Sequence, residues 1–317
     1  MSIPHDRASL IDGAGRGLIE ALRRDPTLEV VDADGPETGA ARVAAAEAPG
    51  RYRSADPRDP TWLAAAAERS LHGGPVAIGA PASEVTGFTY GAVRGLLGFR
   101  GASVKLLGSH EPMPLGRPDR PGAVVEDLGV MRGVPGMTVL VPADAPSAQS
   151  AVEAVAARTG PAYVRLTREL LPTVTHGPLQ IGRAAVLREG GDVTVAAVGA
   201  MVVRSLELAA ELSKVGVSAR VLDLGSVKPF DAPAVLRAAR ETGALLVAEE
   251  HSVTTGVGSL VATVTAENVP VPVRRVGLAD VFEGTEGPGA APGALALSLS
   301  RMMDEAWELL RLRGKVE

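Results

Sequence analysis

A chain of 317 residues, 46% of them apolar, can bury a core large enough for two α/β domains of ordinary size. Its formal net charge is only −5 and its basic residues are scattered, so no cationic footprint for nucleic acid or anionic lipid stands out and the expected partners are small molecules or proteins. The lack of cysteine excludes disulfides, thiolate nucleophiles and thiolate-bound metals, which leaves carboxylates, His, Ser, Thr, Lys, Arg and bound cofactors for any chemistry.

The opening MSIPHDRASLIDGAG carries charge where a secretory leader needs an apolar stretch, and no apolar run is long enough to span a bilayer, so a cytoplasmic protein is expected. Gly13, Gly15 and Gly17 fall inside one predicted helix with no strand before them, a setting that points to close helix packing and not to a phosphate loop. Short β-rich runs then recur at 28–31, 76–78, 103–107, 138–141 and 162–166, separated by helical spacing at 61–71, 87–97 and 146–157. Unbroken apolar strands alternating with helices predict a mainly parallel sheet covered on both faces, over residues 1–172.

Residues 173–190 read as a connecting segment punctuated by Pro and Gly, with a possible short strand at 184–187. The alternation restarts with strands at 193–197, 219–224, 244–248 and 273–276 and helices at 202–212, 232–239 and 256–266. A second, smaller α/β domain over 191–317 follows, closed by an amphipathic helix at 295–312. Gly256 and Gly258 follow a strand and open a helix, but the third glycine and the acidic residue of a dinucleotide site are missing, so a tight turn is expected. No GxSxG or HExxH occurs, and the five histidines are dispersed. On these residues alone the chain is a two-domain α/β protein without a generic catalytic motif.

A more specific pattern lies at 104–138, VKLLGSHEPMPLGRPDRPGAVVEDLGVMRGVPGMT, where Ser109 and His110 open a loop and Glu126, Asp127, Met131, Arg132, Pro135 and Met137 follow in a fixed frame. It continues through Val141, Pro142, Ala143 and Asp144 to Tyr163, Val164, Arg165, Leu166 and Arg168, and returns as VLDLGSVKPFD and AEEHSVTTGVGS. These segments resemble the pyrimidine-binding and C-terminal domains of transketolases, and the likeness covers essentially the whole chain. It implies a Rossmann-like α/β pyrimidine domain followed by a mixed-sheet α/β C-terminal domain.

Thiamine-diphosphate enzymes hold Mg²⁺ and the diphosphate with a GDG motif and a downstream Asn. That pattern is not found in this sequence. Because Mg²⁺ needs hard oxygen ligands beside the phosphates, the resemblance implies that a partner chain, the N-terminal diphosphate-binding subunit, supplies them. What it implies for function is a heteromeric α2β2 transketolase that moves a two-carbon ketol unit from a ketose phosphate to an aldehyde acceptor, in specialised metabolism. Competing readings are a non-catalytic subunit that has lost its thiamine contacts and a 2-oxo-acid dehydrogenase β subunit.

Residue by residue, the resemblance implies that Arg7, Thr38, His110 and Arg168 grip the sugar phosphate, which suits the forked hydrogen bonding of guanidinium to phosphate oxygens. Asp34 matches an acidic residue near the thiazolium. The family's glutamate, which engages N1′ of the aminopyrimidine, falls on Asp59, whose carboxylate is shorter by one bond, ~1.5 Å. The aromatic positions that stack on the pyrimidine fall on Pro81 and Glu84, while Tyr90 retains aromatic character nearby; a loop Asp and a second loop His fall on Pro118 and Gly122.

Overall fold

The structure, a computed structural model, describes residues 6–34, 39–59, 61–110, 124–279 and 296–314. The first domain contributes strands β1 (Arg7–Ser9), β2 (Glu29–Asp32), β3 (Tyr52–Ser54), β4 (Val76–Pro81), β5 (Val104–His110), β6 (Thr138–Leu140), β7 (Ala162–Thr167) and β8 (Leu170–Pro172). Beyond them come β9 (Ala185–Arg188), β10 (Val193–Ala197), β11 (Ala219–Asp223), β12 (Ser226–Lys228), β13 (Leu245–Ser252) and β14 (Val273–Leu278).

The larger sheet runs β12-β6-β7-β5-β4-β2-β3. Its strands pair in parallel except β12, which adds antiparallel to the edge strand β6. Thus a strand from the far side of the connecting segment completes the sheet of the first domain. The second sheet, β14-β13-β10-β11-β9, is parallel apart from β9. All seven residues of β5 and all eight of β13 are buried, as expected of strands covered on both faces.

The helix Leu10–Arg24 opens with a capping box in which Ser9 and Asp12 satisfy each other's backbone amides. Its glycines permit close packing: a Cβ on Gly13 would lie 2.1 Å from the Ala145 carbonyl oxygen, and one on Gly17 2.4 Å from that of Gln149. The sequence expectation for this glycine cluster is thereby met. The facing helix, Ala145–Ala156, is capped by Asp144, whose other oxygen accepts the amides of Val174 and Thr175 and pins the connecting segment.

Most predicted elements recur within a few residues, among them β10 and the helices Thr61–His72, Met201–Lys214 and Val257–Asn268. The helix expected at 87–97 is different. The chain forms a short helix, Ala82–Thr86, breaks at Gly87, and continues as Tyr90–Ala92 and a π-helical segment, Val93–Phe99. Glycines at 87, 91, 95 and 98 weaken the regular helix here, and Phe88 is left 86% exposed. Core packing is continuous between the domains: one apolar cluster joins Leu18 and Val152 with Val195 and Leu246, and another joins Ile78 with Val247.

Candidate active site

From β2 the chain moves outward to β3, then crosses back past β2 to β4, so the strand order reverses between β2 and β4. In open α/β sheets such a switch point opens a crevice at the carboxyl ends of the strands. Charged side chains gather at this edge in two groups, one on each face of the sheet.

The first group is at the rim. Asp34 lies just past β2, Ser109 is in β5, and Arg168 is just past β7. Ser109 Oγ donates to Asp34 Oδ1 at 2.7 Å, and Arg168 Nη2 reaches Asp34 Oδ1 and Oδ2 at 3.1 and 3.0 Å. The Asp34 carboxylate is buried while the Arg168 side chain stays 20% exposed, so the guanidinium is held in place yet borders solvent.

The second group is sealed. Side chains alternate along a strand, so His110 emerges on the face opposite Ser109. His110 Nε2 stands 3.1 Å from the Tyr163 hydroxyl and 3.2 Å from Asp127 Oδ2. Tyr163 donates its hydroxyl proton to the same Oδ2 at 2.7 Å, and Arg165 Nε forms an ion pair with it at 3.2 Å. Through its Nη1, Arg165 bonds Glu250 of β13, which carries the chain of charges into the second domain.

Burial alone would raise the Asp127 carboxyl, but the Arg165 guanidinium and His110 hold it far below the usual carboxylate range. Burial, then Arg165, lowers the pKa of His110, so the ring is neutral at pH 7. Since Tyr163 spends its proton on Asp127, both neighbours of His110 Nε2 are acceptors there. The network thus assigns the proton to Nε2, leaving Nδ1 as an acceptor with no partner among the described residues.

The other expected site residues are placed separately. Arg168 donates its backbone amide to the His110 carbonyl at 3.2 Å, yet the two side chains lie on opposite faces. Arg7 is exposed on β1, which pairs with β8 beyond β7. Glu169 lies nearby, its carboxyl raised by burial and by Glu250 against the pull of Arg204 and Arg7. Asp59 is exposed, and its Oδ1 accepts the Thr61 amide at 2.9 Å in a turn that opens the helix Thr61–His72. Pro81 ends β4; Glu84 is half-buried in the next turn, and Tyr90 packs half-buried against the core. Thr38, Pro118 and Gly122 lie outside the described residues.

Sequence reasoning missed the roles of Tyr163, Arg165 and Glu250 and the exposed ring of Phe88. One signal was available: AEEHS places charges in the apolar strand LLVAEEHS, where an ionic group must find a partner.

A doubly wound sheet with ionic side chains gathered at its carboxyl edge, joined to a mixed-sheet domain, defines a two-domain α/β protein. Comparison with known proteins makes the class specific. Residues 9–174 match the family model "Transketolase, pyrimidine binding domain" and residues 182–292 match "Transketolase, C-terminal domain". The 6-deoxy-6-sulfo-D-fructose transketolase subunit SqwH of Clostridium sp. (strain MSTE9) is 42% identical over 186 residues, 58% of each chain. An apulose-4-phosphate transketolase subunit of Phocaeicola vulgatus is 30% identical over 83% of this chain and 85% of its own.

A solved structure described as a split gene transketolase, inactive beta4 tetramer, superposes with a TM-score of 0.86 at 32% identity, covering 96% of this chain and 98% of that one. The transketolase of Leishmania mexicana shares the fold with a TM-score of 0.79 at 18% identity, and this chain spans 47% of it. The chain belongs to the transketolase family.

That family implies dependence on thiamine diphosphate. Among the described residues no group of three or more His, Asp or Glu could hold a metal ion. Of the residues that the resemblance brings to the aminopyrimidine end, Asp59 is exposed with its carboxylate on the Thr61 amide, Tyr90 is half-buried beyond β4, and the nearby Phe88 ring is exposed, so a carboxylate and aromatic rings of the type that group needs are present.

Proposed function

We propose that this chain is the pyrimidine-side subunit of a two-chain transketolase that transfers a two-carbon ketol unit from a ketose phosphate to an aldehyde acceptor. A diphosphate-domain partner would hold Mg²⁺ and the diphosphate, two copies of each chain forming an α2β2 assembly. The observation that carries this reading is the fixed Arg168–Asp34–Ser109 group at the carboxyl edge of the doubly wound sheet.

In this assignment Arg168, with Arg7 and Thr38, binds the phosphate end of the sugar. His110, enclosed with Tyr163 and Asp127 on the opposite face of β5, backs this edge from behind and does not touch the sugar in this assignment. Asp34 holds Arg168 and stands on the thiazolium side, while Asp59 engages pyrimidine N1′ and Phe88, Tyr90 and Glu84 border the ring. When bound, thiamine diphosphate supplies the electron sink for the transferred carbons.

The supporting experiment is co-expression with a diphosphate-domain chain of the same genome, followed by an assay of aldose release from a ketose phosphate. A second reading, a subunit without thiamine contacts, is favoured by the turn in which Asp59 already engages Thr61. Asp59→Ala separates them: loss of at least ~10²-fold in turnover supports cofactor activation, and unchanged turnover assigns Asp59 to the helix start alone.

A further inference from the structure

At the rim, the anion that meets Arg168 is supplied by the protein itself. Arg168 Nη2 donates to Asp34 Oδ1 and Oδ2 at 3.1 and 3.0 Å, and the Ser109 hydroxyl donates to Oδ1 at 2.7 Å. Nη2 also stands 3.4 Å from Ser109 Oγ, so the two donors are neighbours that converge on one pair of oxygens. A guanidinium and a hydroxyl set around two oxygens is the arrangement that a sulfate or phosphate group requires. Here the chain's own carboxylate fills it.

That carboxylate is brought there by the fold and not by strand pairing. Ser109 and Arg168 come from β5 and the end of β7, which are adjacent, whereas Asp34 follows β2, with β4 between β2 and β5. At about 4.8 Å per strand, β2 stands roughly 10 Å from β5. The place Asp34 takes is fitted to it. Its amide is held by Asp32 Oδ1 at 3.1 Å, and a Cβ on Gly39 would lie 2.9 Å from Asp34 Cβ and 3.2 Å from Oδ2.

The electrostatic consequence depends on the charge of what arrives. An anion approaching the exposed part of Arg168 meets the Asp34 carboxylate at close range, in a partly buried setting where charges act more strongly than in water. Asp32, 1% exposed, places a second carboxylate behind the first. Repulsion therefore rises from a monoanion to a dianion. We propose that Asp34 is a specificity-determining residue that occupies the anion seat made by Arg168 and Ser109, so that this edge turns away free dianions such as sulfate and inorganic phosphate. A sugar phosphate displaces Asp34 because contacts along its carbon chain add to the pull of Arg168. That displacement rests on the ketose-phosphate reading above, whereas the seat and its occupant do not.

The test is titration of the full chain, at constant ionic strength, with sulfate and with methanesulfonate, which share their oxygen geometry but differ in charge. Binding is followed by the Nε–H resonance of Arg168. Asp34→Asn, which keeps an oxygen for Ser109, should bind sulfate at least tenfold more tightly than the wild-type chain does, with a smaller gain for methanesulfonate. Adding Arg168→Ala to that variant should abolish the gain for both. A gain in sulfate affinity below tenfold, or a loss, would assign Asp34 to positioning Arg168 alone and overturn the proposal, as would an equal gain for the two anions. Should Asp34→Asn fail to fold, the wild-type titration decides: sulfate must bind more weakly than methanesulfonate, and the reverse order overturns the proposal. These readouts use this chain alone. A graded gain here beside an unchanged ketose-phosphate KM for Arg168→Ala in the two-chain enzyme would keep the seat and remove the function read from it.

Discussion

The rim group and the sealed chain both place a guanidinium on an aspartate at the same sheet edge, but they differ in what surrounds the pair. Arg168 and Asp34 sit where the chain leaves its strands, one side chain bordering solvent. Arg165 and Asp127 are enclosed with Tyr163, His110 and Glu250, across the junction of two domains. An enclosed pair cannot be traded for water when one partner is lost, whereas a rim pair can. The enclosed chain therefore belongs to folding and to the state of His110, and the rim pair is available to meet a ligand.

The largest expected effect comes from breaking the enclosed chain. Glu250→Ala leaves Arg165 short of a counter-charge and should cost about 3–5 kcal/mol of unfolding free energy, read by urea denaturation. A loss below about 1 kcal/mol would place Glu250 in water and erase the contrast.

Asp223 shows burial without a cation, and pH dependence tells it apart from Asp127. Asp223 has a folded pKa raised from 3.8 to about 7, so its contribution is present below the unfolded value and is lost as pH rises from 4 to 7. Asp223→Asn should flatten that decline, by an amount on the order of 3 kcal/mol, in melts taken at pH 4, 6 and 8. Asp127 has the opposite sign, since its folded pKa is depressed: its contribution is present above the unfolded value and fades only in acid. Parallel pH slopes in Asp127→Asn and Asp223→Asn would refute this difference.

At the rim the effect should fall on binding. Arg168→Ala should raise the KM for a ketose phosphate about 10–100-fold in the two-chain enzyme while changing stability by less than about 1 kcal/mol. A large drop in melting temperature would move Arg168 into the structural class with Arg165.

The smallest effect concerns His110. Its pKa is lowered, so the neutral ring persists as pH falls to its ordinary value of 6.5, and kcat/KM should stay flat from pH 8 to about 6.5 with respect to this group. A limb that appears above pH 7 and vanishes in His110→Gln would contradict the neutral assignment.

Much of the fold was legible because buried parallel strands announce themselves as apolar runs such as VAIGAP and LLVAEEHS. Of the three-residue strands among the described residues, β1, β3, β8 and β12 were not, since three residues cannot display a period, whereas β6 was read from the longer apolar run 138–141 that contains it. At the site, family likeness pointed to Arg168, His110 and Asp34, but not to the division between them. Ser109 and His110 are adjacent in sequence and therefore emerge on opposite faces, which only the strand assignment reveals. Glu250 was hidden for a different reason: its partner Arg165 is 85 residues away and in the other domain.

The most direct measurement is calorimetric titration of thiamine diphosphate with Mg²⁺ into this chain alone, into a diphosphate-domain partner alone, and into their mixture. The two-chain account predicts micromolar or tighter binding only in the mixture, with loss of that binding on removal of Mg²⁺. Tight binding by this chain alone, or no gain in the mixture over the partner by itself, would contradict it.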